Sequence, residues 1–228
     1  MEGGKPAAVR LAAGAGSVRS IPRVSQAPPK AIFIDTPNLY MRTLTEGDAS
    51  DRWAAWFEQP DVRQGLNLGA ERKTRADIVA YINKFDQRSN ILLGIFDRTN
   101  DLLIALITAQ IDWKLGRYLA NTVVGEADYR HRGVMLEVSP PFRAYFFETL
   151  GLKVMTATVL STNKAIIGYL EKTGWTLNHT LKNHVKSHAD GTMVDLCLYS
   201  ITREAWNAWM AANPETLKTM LTAAAPRA

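Results

Sequence analysis

Tyr129-Arg130-His131-Arg132-Gly133-Val134-Met135-Leu136-Glu137 is the stretch of this 228-residue chain that decides the fold. An apolar, β-rich segment runs into it and an amphipathic one runs out. It reads as a basic, glycine-containing turn opening a helix. Backbone N–H groups there point out unpaired, and the helix dipole adds positive potential. An anion such as a pyrophosphate can sit at such a turn. Further on, Asn163 to Trp175 (NKAIIGYLEKTGW) reads as a second helix with Asn at its start. Gly174 suits the C′ position that ends it.

Working outward, Leu119 to Val124 is a strand and helix follows from about Gly133 to Leu150. A strand over Lys153–Val159, a helix over Lys164–Thr173 and a strand over Trp175–Leu181 come next. Met193–Ile201 is the last strand, and Thr202 starts a polar-faced helix carrying Trp206 and Trp209. Toward the N-terminus, Ile32–Asp35 with Asn38–Leu44 reads as the first strand and its entry. Trp53, Trp56 and Phe57 mark one face of a short helix that ends before Pro60. Thr74 and Asp77 form a capping-box pattern ahead of the stripe Ile78, Tyr81, Ile82, Phe85. Ile91–Phe96 and Leu102–Ile111 flank the polar turn Asp97–Asp101 as a hairpin. Hairpins beside βαβ steps predict an α/β (mixed α+β) fold: one mixed sheet with helices on both faces. Pro140-Pro141 interrupts the helix after the basic turn. Interior proline removes backbone bonds, so the helix is expected to kink near Val138 or to restart at Pro140.

The bulk composition is that of an ordinary globular protein, 46% hydrophobic with one cysteine, Cys197. That excludes an intramolecular disulfide framework and fits a reducing, cytoplasmic setting. No apolar run reaches the ~20 residues of a membrane span, and no secretory signal is visible. The net charge of +5 is uneven. Residues 1–30 hold five Lys and Arg against Glu2 alone, leaving the body near neutral at +1. The body therefore lacks the basic stripe of a nucleic-acid binder. Residues 1–30, rich in Gly, Ala, Ser and Pro, read as a disordered or loosely docked extension. Residues 31–212 are expected to form one domain and 213–228 a tail.

The basic turn and the Asn163–Trp175 block, in this order and spacing, resemble the core of the GNAT superfamily of acyl-CoA-dependent N-acyltransferases. Glu137, Tyr145, Phe147-Glu148 and Leu150–Val154 fall at the spacings of its ribosomal-protein-alanine N-acetyltransferase branch. So do Asn163, Glu171-Lys172 and Gly174-Trp175. Leu39–Asp48, Gln59–Arg63, Gly191–Tyr199 and Arg203–Trp206 extend the likeness over roughly residues 36 to 210. One departure is Met135, where the superfamily's pyrophosphate motif has a small residue. The resemblance implies a GNAT fold, a mostly antiparallel twisted sheet of about six or seven strands with a splayed parallel pair.

The resemblance also implies a chemistry. The acceptor amine attacks the thioester of acetyl-CoA directly, and the enzyme aligns two substrates and moves protons. Arg130, His131, Arg132, Gly133, Val134 and Met135 would hold the pyrophosphate. Backbone groups of Val123 and Val124 would pair with the pantetheine amides, and Asn163 would contact the cofactor arm. The usual thiolate acid is a Tyr at the position of Leu170; here Tyr169 lies one residue earlier. One helical step is a ~100° turn, so Tyr169 is read both as that acid and as a core residue. Asp112 and Glu126 are the candidate bases, with a solvated loop carboxylate as the bland reading of each. His179, His184 and His188 straddle a strand and a turn, and no metal site is expected of them. Trp53, Trp56 and Trp113 are candidates for an acceptor site, with core packing the default for the first two. The loops around Gln64–Lys73, Asp112–Tyr118 and Lys182–Thr192 are candidates too. The function so implied is acetyl transfer to a primary amine, either a protein N-terminus or a small aminated metabolite. An amino-sugar or antibiotic amine acetyltransferase is the alternative enzyme. A degenerate domain that binds CoA or a protein partner is the alternative without catalysis. Similar proteins are commonly homodimers; no nucleic acid or membrane partner is expected.

Overall fold

The computed structural model describes residues 31–214. The extension expected at residues 1–30 and residues 215–228 of the tail lie outside the described residues. Eight strands form one sheet: β1 (Phe33–Asp35), β2 (Leu39–Thr43), β3 (Asn90–Asp97), β4 (Leu102–Asp112), β5 (Arg117–Val124), β6 (Val154–Leu160), β7 (Thr176–Lys186) and β8 (Met193–Thr202). Their order is β1-β2-β3-β4-β5-β6-β8-β7. Each neighbouring pair is antiparallel except β5 and β6, which run parallel. The helices are α1 (Asp51–Trp56), α2 (Pro60–Leu66), α3 (Arg75–Ile82), α4 (Val134–Ala144), α5 (Lys164–Lys172) and α6 (Arg203–Ala212).

The mixed class follows the sequence reading, with two additions. Ile32–Leu44 is a hairpin of two strands rather than one, with Phe33 opposite Arg42, which brings the sheet to eight. Helix α2 was not anticipated, although Pro60 sits in its first turn, where a missing N–H costs nothing. The Thr74–Asp77 capping box forms as read, each side chain bonding the other's backbone N–H.

Two cores lie on the two faces of the sheet. Ile91, Leu93 and Ile95 of β3 point with Tyr118 and Ala120 of β5 toward α4, α5 and α6. Leu92 and Phe96 point the other way with Leu106, toward α1 and α3. The run Ile91–Phe96 is buried throughout because helices cover both faces.

Helix α4 does not restart at Pro140. Pro140 and Pro141 lie inside it and do not divide it; it continues to Ala144 and passes into a wider π turn over Tyr145–Thr149. Two prolines remove the donors that the carbonyls of Leu136 and Glu137 would otherwise meet. Packing of Val138, Phe142, Phe146 and Phe147 into the core holds the segment despite that loss. Tyr118 stacks on Phe146 with ring centroids 4.7 Å apart.

Candidate active site

Strands β5 and β6 pair only at Arg117–Val154, Tyr118–Met155 and Leu119–Thr156. Beyond Leu119 both strands continue without pairing each other. A cavity of about 1150 Å³ opens between them. It passes through the sheet: Ser139, Arg143 and Tyr169 border it on the α4–α5 face, Leu66, Asn67 and Tyr81 on the α2–α3 face.

At the mouth of this cleft the chain makes the basic turn. His131 (φ 61°) and Gly133 (φ 77°) both adopt left-handed backbone. Gly133 caps α4 and accepts the N–H groups of Leu136 and Glu137. The N–H groups of His131, Gly133, Val134 and Met135 meet no acceptor among the described residues. All four residues line the cavity. Such a set of free amides at a helix start suits a phosphate group.

The two arginines of the turn differ: Arg130 lines the cavity and Arg132 does not. Arg130 is engaged by the protein. Its Nε donates to Val124 O (3.1 Å) and its Nη2 to Gly125 O (3.0 Å) and to Gln59 Oε1. Nη1 faces Asp61 at 3.3 Å. Arg130 thus ties the end of β5 to the start of α2. Arg132 is exposed and does not border the cavity.

Backbone parity corrects a second expectation. Gly125 N–H bonds Ile104 O on β4. By the alternation of an antiparallel ladder, Val123 then turns its backbone groups toward β4, and Val124, Thr122 and Ala120 turn theirs toward the cleft. The side chain of Val123 packs on the α1–α3 face. Thr122 and Ala120 line the cavity with Val124; strand periodicity alone gave no sign of which parity faces the opening.

Asn163 lines the cleft and caps α5, its Oδ1 accepting Ile166 N–H at 3.3 Å. Tyr169 also lines it, half-buried, with its Oη accepting a bond from Arg143 Nη2 at 3.2 Å. Leu170, at the family's tyrosine position, is buried in the core. The phenol O–H of Tyr169 is therefore left to donate.

Neither candidate base borders the cavity. Glu126 takes a two-pronged pair from Arg52 (2.6 and 2.7 Å) and a bond from Trp56 Nε1 (2.8 Å). The Arg52 guanidinium holds its carboxyl below the ordinary range. So engaged, it is a poor proton acceptor and a good anchor for α1. Asp112 sits at the far end of β4, accepting Leu115 N–H and facing Arg117 at 3.6 Å. The one carboxylate among the cavity's described residues is Asp61.

Trp53 and Trp56 are buried in the α1–α3 core, away from solvent. Two of the acceptor loops do meet. Asn67 Nδ2 donates to Lys186 O and Asn67 Oδ1 accepts His188 N–H (2.9 and 2.8 Å). His179, His184 and His188 are exposed, and no cluster of three or more metal-ligating side chains occurs among the described residues.

The sequence offered no sign of what Glu137 does. Its buried carboxylate accepts Thr36 Oγ1 (2.6 Å), Asn38 N–H (2.7 Å), Leu39 N–H (3.0 Å) and Asn38 Nδ2 (3.2 Å). It pins the first turns of α4, and with them the free amides, to the β1–β2 turn.

A splayed parallel pair inside an otherwise antiparallel sheet, with amides at its mouth that meet no acceptor among the described residues, is the arrangement that the resemblance to acyltransferases implied. The family described as "Acetyltransferase (GNAT) domain" matches residues 38–176, and the chain belongs to it. It is a GNAT N-acetyltransferase. Solved structures agree on the fold. A GNAT-family acetyltransferase from Bacillus anthracis superposes with TM-score 0.64 at 19% identity, covering 76% of this chain and 99% of that one. The ribosomal-protein-S5-alanine acetyltransferase of Vibrio fischeri gives 0.65 at 13%, covering 77% and 98%. The spermidine N-acetyltransferase of Vibrio cholerae, solved with CoA and spermine, gives 0.66 at 14%, covering 75% and 98%. No curated protein matches the chain. No helix among the described residues is long and apolar enough to cross a membrane.

Proposed function

We propose that this chain transfers an acetyl group from acetyl-CoA to a primary amine, either a protein N-terminus or a small aminated metabolite. The observation that carries the reading is the open β5–β6 cleft with four acceptor-free amides at its mouth. The residues present suit such a donor. The amides of His131, Gly133, Val134 and Met135 bind its phosphates, and the cleft-facing backbone of Thr122 and Val124 pairs its amide arm. The thioester supplies the activated carbonyl. The acceptor enters from the α2–α3 face, where Asn67 links α2 to the β7–β8 turn. Its nitrogen forms the new bond to carbon as the carbon–sulfur bond breaks. Tyr169, its oxygen held by Arg143, donates the proton that the departing sulfur needs. The amine's own proton leaves through water, because the cavity's carboxylate, Asp61, already faces Arg130. The reading includes a cytoplasmic protein, in keeping with its single cysteine, and a homodimer.

Titration with acetyl-CoA, CoA and a nicotinamide dinucleotide, read as a thermal shift, tests the cleft. Stabilisation by the two CoA species alone is expected. No shift at millimolar acetyl-CoA would overturn the reading. Release of free thiol from acetyl-CoA on adding an amine separates an enzyme from a domain that binds only. Peptides with a free N-terminal alanine and polyamines come first in that screen, since two structural neighbours carry those acceptors in their names. Tyr169→Phe is expected to lower kcat at least about tenfold with acetyl-CoA affinity unchanged, as for the loss of a general acid. Unaltered kcat would return Tyr169 to a packing role.

A further inference from the structure

Arg143 is a cation in an unusual place. It is 2% exposed, yet it lines the cleft. None of the ion pairs among the described residues involves it. Its guanidinium carbon lies 4.4 Å from the ring centre of Trp206 and 5.3 Å from that of Trp175. Nη2 reaches Tyr169 Oη, while Nε and Nη1 have no acceptor among the described residues. Aromatic faces offset part of the desolvation of a guanidinium; they do not replace an anion.

The neighbouring polar groups share the same need. Tyr118 Oη and Trp175 Nε1 are also buried without a partner. Burial pushes the Tyr118 phenol up, so it keeps its proton, and the Arg143 charge acts on it. Arg143 and Trp175 line the cleft, Tyr118 packs on Phe142 and Phe146 beside it, and these donor atoms lack an acceptor among the described residues. A carboxylate supplies two oxygens and a negative charge to such a set.

The topology says which substrate can bring it. Tyr118, Ala120, Thr122 and Val124 alternate onto one face of β5. Helix α4 runs back along that face, with the free amides at its Val124 end and Phe142 and Arg143, followed by Phe146 of the π turn, at the Tyr118 end. Arg143 lies nine residues after Val134, roughly 14 Å along the helix at ~1.5 Å per residue. A donor anchored by its phosphates at the mouth therefore carries its acyl end toward Arg143. The acceptor approaches from the opposite face of the sheet.

We propose that the Arg143 end of the cleft is a carboxylate subsite and that the enzyme also takes a CoA thioester whose acyl chain ends in a carboxylate, the monothioester of a small dicarboxylic acid. This rests on the acyl-CoA reading of the cleft. The transfer balances as it does for acetyl. The amine lone pair forms the carbon–nitrogen bond, the carbon–sulfur bond breaks, sulfur leaves as thiolate and takes a proton, and the amine loses one. The distal carboxylate stays ionised throughout, held by Arg143, with Trp175 as a further donor on the cleft wall.

Calorimetric titration of the full chain with succinyl-CoA, butyryl-CoA and acetyl-CoA tests this without turnover. Butyryl-CoA matches the succinyl chain in carbon number without its charge. Succinyl-CoA is expected to bind at least about tenfold tighter than butyryl-CoA, the order of one charge-assisted hydrogen bond. Arg143→Met is expected to bring that ratio close to one, with Arg143→Lys between. Equal binding of succinyl- and butyryl-CoA by the unaltered chain overturns the subsite while leaving the CoA cleft in place. An anion delivered by the acceptor instead also leaves that ratio at one. Failure of all three to bind overturns the CoA cleft itself, and the subsite with it. The unaltered chain decides the matter even where Arg143→Met fails to fold.

Discussion

Glu137 shows how a single carboxylate sets the geometry of the binding turn. It is 1% exposed and has no cationic partner among the described residues; its charge is balanced by four hydrogen bonds from the β1–β2 turn. Removing it takes the charged acceptor from the Thr36 hydroxyl and from the N–H groups of Asn38 and Leu39, of which Leu39 keeps Thr36 Oγ1 at 3.1 Å. Glu137→Ala is therefore expected to cost about 3 kcal/mol or more, since buried donors lose a charged acceptor. Chemical denaturation measures this. A cost under 1 kcal/mol would mean that the turn finds other partners. The letter Glu137 was legible in the sequence as part of a motif. Its partners were not, because they lie about a hundred positions away in the chain.

At the scale of elements, Gly125 determines how α1 sits on the sheet. A Cβ at this position would lie 1.9 Å from the Trp56 ring. The indole packs directly on the backbone at the end of β5, and its Nε1 bonds Glu126. Gly125→Ala must push Trp56 away. Overpacking of this kind costs at least about 1–3 kcal/mol. The expected outcome is a lowered Tm with loss of the near-ultraviolet signal of buried tryptophan. A Tm unchanged within error would show that α1 can shift without cost. The sequence marked Trp53 and Trp56 as one face of a helix and left open whether they face a substrate. The sheet answered that, by placing Gly125 beneath the ring. Helix α2 escaped the reading for a related reason. Its short length gives too few apolar positions for a period to show.

At the scale of the whole molecule, pH and ligand act on the fold through identifiable groups. Glu126 is held below its ordinary carboxyl range by Arg52. A group whose folded pKa is lowered contributes stability that is fully present above its unfolded value, about 4.3. That contribution is lost as pH falls through the lower, folded value. The Tm difference between the parent chain and Glu126→Gln is accordingly expected to be constant from pH 7 to about 5 and to shrink below about 4. A difference independent of pH would remove the Arg52 pair from the account. For the ligand, acetyl-CoA at about a hundred times its Kd is expected to add roughly 2.7 kcal/mol. Thermal unfolding across a concentration series measures it, and a plateau in place of a logarithmic rise would contradict single-site linkage.

What the sequence by itself determined is local. Apolar runs flanking a polar turn became β3 and β4, caps at Thr74 and Asn163 became helix starts, and Gly133 became a left-handed helix entry. Chain order then fixed the succession of hairpins and βαβ steps, and the two motifs fixed the family. The tertiary structure alone decided what lies between elements. It set the point beyond Leu119 where β5 and β6 part and the parity that turns Val124 rather than Val123 toward the gap. It also engaged Arg130 with the protein and buried Arg143 among Tyr169, Trp175 and Trp206. The physical reason is range. Dihedral preference and side-chain period act over a few residues, whereas a splayed strand pair or a buried cation depends on surfaces that meet only when the whole sheet has closed its two cores.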